Sequence, residues 1–446
     1  MHGCRVQLGN LPPRVRTPLP GRAARRFVDA LARTECPALT TRRRRRAERT
    51  GAAHDPIVWR AARGANVVDV DGNVYVDLTA GFGAAAVGHA HPAVVEAVQR
   101  QAGRLVHALG DVHPSDVKVR LLLRLARLAP FPDARVILGL SGADAMEAAL
   151  KTAHLATGRA GVLAFVGGYH GLSHGPLALC GYSDRFRQPF AAALRSEVRF
   201  APFPRAGRDD AERALSAVRD AWGDASIGAV VVEPIQGRGG VVIPPRGFLA
   251  GLARLARERG ALLVSDEVLT GLGRTGARWR MQAEGVVPDL VCVGKALGGG
   301  LPVSATLGPS SVMAAWGDPS AEAIHTGTFF GHPLGCAAAL ASLEVIAAER
   351  LAERAARVGS AWLERLHVAL ADVPFVREVR GAGLLVGIEL DDGVRTLTVV
   401  RRLLERGYLT LAAGMRAEVL QLCPPLDIDE ALLDGFVEVL REVLLA

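Results

Sequence analysis

LLVSDEVLTGLGRTG, residues 262–276, opens as a near-continuous apolar run, ends that run on Asp266, and then breaks into glycine-rich turns. An apolar run of strand length bounded by turn residues reads as a strand buried on both faces. Asp266 therefore stands at the carboxyl end of a buried strand, where an unpaired carboxylate is costly. A protonated ring nitrogen would supply the partner, and so would a helix N-terminus that Asp266 caps or a salt bridge with Arg274. Glu267 beside it reads as structural.

Working outward, similar runs recur at 136–140 (VILGL), 161–166 (GVLAFV), 229–235 (AVVVEPI) and 290–296 (LVCVGKA), with helical patterns such as 144–156 and 247–259 between them. Buried strands alternating with helices predict an α/β domain built on a mostly parallel sheet. Upstream, residues 22–50 read as polar helix, and 66–78 (NVVDVDGNVYVDL) as a β-hairpin turning at Asp71-Gly72. After about residue 333 the texture shifts to long helical patterns (333–348, 352–371, 429–445) beside short strands (383–390, 419–426), the signature of a smaller α+β domain. The predicted division is an N-terminal segment 1–80 that packs with the small domain, a large domain 81–332, and a small C-terminal domain 333–446.

In a parallel α/β sheet, ligands bind beyond the carboxyl ends of the strands. Besides Asp266, three strand ends carry notable residues. Leu140 to Ala145 reads as a strand, a tight small-residue turn and a helix start, where free N–H groups and the helix dipole suit a phosphate; many plain turns look the same. Gly167-Gly168-Tyr169-His170-Gly171 offers an aromatic that either stacks on a planar heterocycle or fills a rim, and a histidine that is equally well a buried hydrogen-bonding group. Lys295, before three glycines, is partly desolvated, which makes an amine nucleophilic towards aldehydes; a lone lysine there would also read as a side chain snorkelling outward.

Composition sharpens the last reading. The chain holds fifty arginines and only three lysines, Lys118, Lys151 and Lys295. A guanidinium serves wherever permanent positive charge is wanted, but it does not shed a proton to act as a nucleophile. A phosphate cradle, a ring-stacking aromatic, an acid for a pyridinium and an amine, at successive strand ends, are what a pyridoxal 5'-phosphate (PLP) site needs.

The segments SGADAMEAALKTA, GGYHGLSHG, VVVEPIQGRGG, LLVSDEVLTGLGRTG, VCVGKALGGGLP, HTGTFFGHPLGCAAAL and VLQLCPPLDI resemble those of the class III (omega-type) PLP-dependent aminotransferases. The resemblance runs from about residue 55 to the C-terminus. It implies PLP fold type I: an α/β large domain with a mostly parallel central sheet flanked by helices, plus a smaller α+β C-terminal domain. It implies that Lys295 holds the cofactor as an imine and, once released, moves the substrate proton. Asp266 would pair with the pyridine nitrogen, and Gly142 and Ala143 would donate backbone hydrogen bonds to the phosphate. Tyr169 would stack on one ring face and Val268 pack on the other. Thr328 resembles a phosphate ligand supplied across a homodimer interface, and Glu233 the acid that neutralises a carboxylate-binding arginine.

Several positions depart from the family pattern. Leu269 stands where Gln often follows D-E-V, and Leu172 where N-acetylornithine-using members carry Arg, which argues against that substrate. Gln421 replaces the arginine that binds an α-carboxylate; losing such a pair costs about 1.5–3 kcal/mol. Arg416 is the expected substitute for substrate binding, and Arg238, in place of a common Glu, is another anion contact. The reading is transfer of an amino group from an amine, diamine or ω-amino acid to a keto acid by a ping-pong cycle. An epimerase, aminomutase or decarboxylase on the same scaffold is the alternative, since it needs no second keto acid.

Bulk properties exclude other classes. The net charge of +8 concentrates in residues 1–50, which hold thirteen arginines against three acids, so the remainder sums to −2. The run Arg42–Arg46 reads as a solvated helix face rather than a nucleic-acid contact. No apolar run reaches the roughly 20 residues of a membrane helix. Six scattered cysteines with no C-x-x-C pair suggest neither a disulfide framework nor a zinc site, and no secretory signal is evident, so a cytoplasmic setting is expected.

Overall fold

The structure is a computed structural model that describes residues 8–52, 54–317 and 322–446; Cys4 lies outside the described residues. At its centre is a seven-stranded sheet. Strand order across it is Ala134–Gly139, Ser304–Pro309, Leu290–Val293, Leu262–Asp266, Ile227–Val232, Gly161–Phe165, Val198–Ala201. Neighbouring strands run parallel except around Ser304–Pro309, which is antiparallel to both its neighbours. Ile227–Val232 and Gly161–Phe165 are buried at every position. That is why their sequences show no polar alternation.

Two strands escaped the sequence reading. Val198–Ala201 is the sheet's half-exposed edge, where alternating Arg199 and Phe200 blur the apolar signal. Ser304–Pro309 begins on a buried Ser304 and ends in Gly-Pro, a turn-like spelling. Helix Gly142–Thr157 covers one face of the sheet through Met146, Ala149, Leu150 and Ala153, and Phe248–Glu258 covers the other through Phe248, Leu252 and Leu255.

The hairpin predicted at 66–78 is present as Asn66–Asp69 paired antiparallel to Val74–Asp77, with Gly72 at φ 85 in the turn. The polar N-terminal stretch forms two helices, Arg22–Thr34 and Pro37–Thr50, broken where Pro37 can start but not continue a helix. Hairpin strand Val74–Asp77 pairs in parallel with Tyr408–Leu409, and helix Pro37–Thr50 packs on helix Gly393–Glu405. Beyond residue 333, helices Pro333–Ala348, Leu351–Leu370 and Glu430–Leu445 surround a four-stranded sheet ordered Val376–Ala382, Leu385–Leu390, Val419–Leu422, Leu411–Ala413. Pro333–Ala348 also packs on Pro92–Ala102 and on the turn after Lys295, so one apolar cluster spans both regions. No described helix is long and apolar enough to cross a membrane.

Candidate active site

The carboxyl ends of all strands in the central sheet except Ser304–Pro309 point to one edge. The loops leaving that edge carry Gly142, Ala143, Tyr169, Glu233, Asp266, Val268 and Lys295.

At the first loop, Ser141 caps the helix. Its hydroxyl accepts the Asp144 N–H at 3.2 Å, while Asp144 Oδ2 accepts the N–H groups of Leu140 and Ser141 at 3.0 Å each. This reciprocal box satisfies its own donors and leaves the amides of Gly142 and Ala143 with no acceptor among the described residues. Two open amides at the positive end of a helix four turns long fit an oxyanion such as phosphate. Glycine is needed at 142 because a Cβ would lie 2.9 Å from Val268 Cγ1.

Asp266 is 5% exposed at the end of its strand. Neither the helix-cap nor the Arg274 partner applies. Its Oδ2 lies 2.8 Å from His170 Nδ1, and its Oδ1 accepts the Val268 N–H at 3.1 Å. Arg274 is buried elsewhere, donating to the carbonyls of Leu384 and Pro424. Burial on its own would lower the His170 pKa, but the hydrogen bond and charge of Asp266, with Glu233 behind, hold it above the ordinary imidazole value. The sequence left His170 undecided; only the fold shows it bound to the acid ninety-six positions away.

Lys295 takes up φ 45, a left-handed conformation that costs a non-glycine residue energy and recurs at functional sites. Lys118 Nζ donates to the Gly110 carbonyl at 2.9 Å and Lys151 Nζ lies 3.3 Å from His325 Nδ1. Lys295 has no such partner among the described residues. Burial pushes its pKa down, against the opposing pull of Asp266 and Glu233, which favours the free amine. A feature the sequence did not flag lies alongside: Ala80, Gly81, Phe82 and Gly83 all have positive φ. A Cβ on Gly83 would fall 3.0 Å from Leu269 and 3.6 Å from Lys295 Cδ.

The other expected residues differ in their surroundings. Glu233 pairs with no arginine among the described residues; its carboxylate accepts the N–H groups of Tyr169 and Gly237, each at 2.9 Å, and burial raises its pKa. It thereby ties the Tyr169 loop to the loop carrying Arg238. Arg416 is exposed in the turn before Val419–Leu422, where no hydrogen bond or ion pair joins its side chain to Glu233 or Lys295. Gln421 lies half-buried within that strand. Thr328 is exposed and lines a small hollow with His107, Lys118 and Phe330, apart from the Lys295 cluster. The Arg42–Arg46 helix is not simply a solvated face: Arg42 and Arg46 lie near Arg238, whose guanidinium sits 4.7 Å from the Tyr169 ring centroid.

A lysine without a partner among the described residues, a buried acid–histidine pair and an open two-amide cradle fit PLP, whose amine-reactive and anionic ends both find a match here. The chain belongs to the class-III aminotransferases, whose family model matches residues 49–444. It is therefore a PLP-dependent aminotransferase acting on an amine and a keto acid. It is 39% identical to an acetylornithine aminotransferase of Methanothermobacter thermautotrophicus over 87% of this chain and 94% of that one. It is 36% identical to a 5-aminovalerate aminotransferase of Pseudomonas aeruginosa, covering 87% and 93%. Among solved structures it is similar to the ornithine aminotransferase of Toxoplasma gondii, described with partial occupancy of PLP at its active site: TM-score 0.81, 31% identity, 94% of each chain covered.

Proposed function

We propose that this enzyme moves the terminal amino group of an ω-amino acid or diamine to a keto acid in two half-reactions that share one site. The observation that carries the reading is the Lys295 amine: unpartnered, its pKa depressed by burial, held on a strained backbone within the electrostatic reach of Asp266. PLP, when bound, supplies an aldehyde to capture the amine and a ring to withdraw its electrons. Asp266 would keep the ring nitrogen protonated, and His170, bonded to Asp266 and with its pKa raised by that carboxylate, would keep Asp266 ionised and oriented. Gly142 and Ala143 would hold the phosphate through their N–H groups, Tyr169 would cover one face of the ring, and Val268 would support the other. With PLP bound, Lys295 Nζ would be the group placed to take the proton from the amine-bearing carbon of the substrate and to give it back. Glu233 holds the Tyr169 loop in place by accepting its backbone N–H.

The relatives' named substrates, acetylornithine, 5-aminovalerate and ornithine, all carry an amine remote from a carboxylate, which supports an ω-amino donor. Leu172 still argues against N-acetylornithine. We place Thr328 at a homodimer interface, where its exposed hydroxyl reaches the partner's phosphate. The chain divides in this reading into an N-terminal segment to residue 80, a large domain to 332 and a small domain beyond. Five free cysteines among the described residues, four of them buried, suit a reducing cytoplasm.

A single-turnover experiment tests the proposal. Mixing holoenzyme with an ω-amino acid and no keto acid should convert the yellow lysine-bound cofactor to its aminated form, with release of the aldehyde product. Persistence of the yellow form with racemised, rearranged or decarboxylated substrate would instead favour the epimerase, aminomutase or decarboxylase chemistry.

A further inference from the structure

Five consecutive arginines on helix Pro37–Thr50 do not share one environment. Arg43 pairs with Glu35 at 3.0 Å and the exposed Arg44 faces Glu48 at 3.8 Å. Arg45 is exposed. Arg42 is exposed and Arg46 half-buried; one helical turn apart and so on one face, both lie within the electrostatic reach of Arg238, besides their neighbours on the helix Arg43 and Arg49. Arg238 is held among aromatic rings, 4.7 Å from the centroid of Tyr169, 5.0 Å from Tyr182 and 5.7 Å from Phe186. Its Nε is buried without a hydrogen-bond partner. None of the three guanidiniums makes an ion pair or side-chain hydrogen bond with a described residue.

Like charges gathered without a counter-ion repel, and the partial burial of Arg46 and Arg238 adds to the cost. Burial and the charges of Arg42 and Arg238 push the pKa of Arg46 down to about 10, which still leaves it protonated at neutral pH. The cluster adjoins the reacting centre. Glu233 fixes both the Tyr169 amide and the Gly237 amide next to Arg238, and Arg238 lies over the Tyr169 ring. Meanwhile Gln421 brings no charge to this mouth. The exposed Arg416 follows Gly414, whose N–H donates to the Arg238 carbonyl at 3.0 Å and whose carbonyl accepts the Tyr182 hydroxyl at 2.9 Å. No hydrogen bond or ion pair joins the Arg416 guanidinium itself to a described residue of the cluster.

We propose that Arg42, Arg46 and Arg238 together bind an anionic group, carboxylate or phosphate, at the end of the substrate remote from the reacting carbon. The proposal rests on the aminotransfer reading only in assigning that anion to the amino donor or acceptor. A planar guanidinium stacked between rings presents its N–H edge in a fixed direction, which suits bidentate capture of an oxyanion. The helix supplies two further cations from a segment more than a hundred and ninety positions away, so the site closes only when the N-terminal segment is docked.

The test uses holoenzyme, whose cofactor phosphate already fills the Gly142–Ala143 cradle. Succinate and inorganic phosphate are titrated into it by calorimetry, and kcat/KM is compared between 2-oxoglutarate and pyruvate, which differ in the distal carboxylate. Wild type should bind at least one of the two anions; tighter succinate marks a carboxylate tail, tighter phosphate a phosphorylated one. R238Q and the double variant R42Q/R46Q should each weaken that binding by about tenfold or more, the loss of a charge-assisted contact, and the preferred binder of R44Q/R45Q should match wild type. Where succinate is preferred, the 2-oxoglutarate preference should fall in parallel. Wild type that binds neither anion, or R42Q/R46Q and R238Q that bind as wild type does, would overturn the proposal while leaving aminotransfer intact. Anion binding that the variants abolish in an enzyme that aminates no cofactor would uphold this site and remove the aminotransfer reading instead.

Discussion

The floor and the mouth of this site are built by different rules. On the floor, polar groups are largely matched within the chain: Asp266 with His170, Glu233 with two amides, Asp144 with the capping turn. What stays open there is the Gly142 and Ala143 amides and the Lys295 amine, the groups a phosphate and an aldehyde would occupy, together with the buried His170 Nε2. At the mouth the imbalance is of net charge, with three arginines whose side chains make no ion pair with a described residue. Open donors on a satisfied floor prescribe a cofactor; uncompensated charge at a mouth prescribes a substrate.

The contrast breaks most visibly at Lys295. Lys295→Ala should lower kcat by about 10²–10⁴-fold, measured by steady-state amino transfer, with no comparable loss of folded protein by thermal melting. Asp266→Asn should cost on the order of 10²-fold in kcat, since an amide cannot hold a ring nitrogen protonated. A smaller loss, roughly tenfold, is expected for His170→Asn, with a pH signature. The raised His170 pKa means its charge is fully present below the ordinary imidazole pKa and is lost as pH rises through the higher folded value. Activity that depends on charged His170 should therefore decline with rising pH in wild type, and that limb should disappear from the kcat/KM profile of the variant.

Gly142→Ala probes the fit of cradle to ring support. Its Cβ would meet Val268 Cγ1 at 2.9 Å, so stability should drop by about 1–3 kcal/mol, read by denaturant unfolding, and cofactor titration should show weaker PLP binding. The smallest effect is expected at the mouth's outer edge. Arg416→Gln should leave kcat/KM for anionic acceptors within about twofold, as for an exposed side chain with no partner; a larger loss would place Arg416 back at the substrate.

What the sequence revealed follows the same division. Strand ends were legible because a buried parallel strand writes itself as an unbroken apolar run, and Asp266 and Lys295 terminate two of them. Tyr169, Gly142 and Ala143 lie in turns that by themselves look like many plain turns and gain meaning only together with those strand ends. The His170–Asp266 pair was not legible, because the two residues are joined only by the sheet's strand order. Nor was the left-handed run Ala80–Gly83, where only the glycines hint at the backbone and Ala80 and Phe82 give no sign. Arg42 and Arg46 were hidden by their neighbours: a string of five identical side chains carries no periodicity, and only helix docking separates the two facing Arg238 from the three that do not. Arg416 is exposed in the turn that meets Arg238, so its nearness in sequence to Gln421 does not by itself fix where its side chain acts.

With only three lysines in the chain, the site of cofactor attachment can be read without ambiguity. Borohydride reduction of the holoenzyme followed by peptide mass mapping should place a cofactor-derived mass on the peptide containing Lys295 and leave Lys118 and Lys151 unmodified. Modification of either of those lysines in place of Lys295, or of none, would contradict the assignment on which the rest depends.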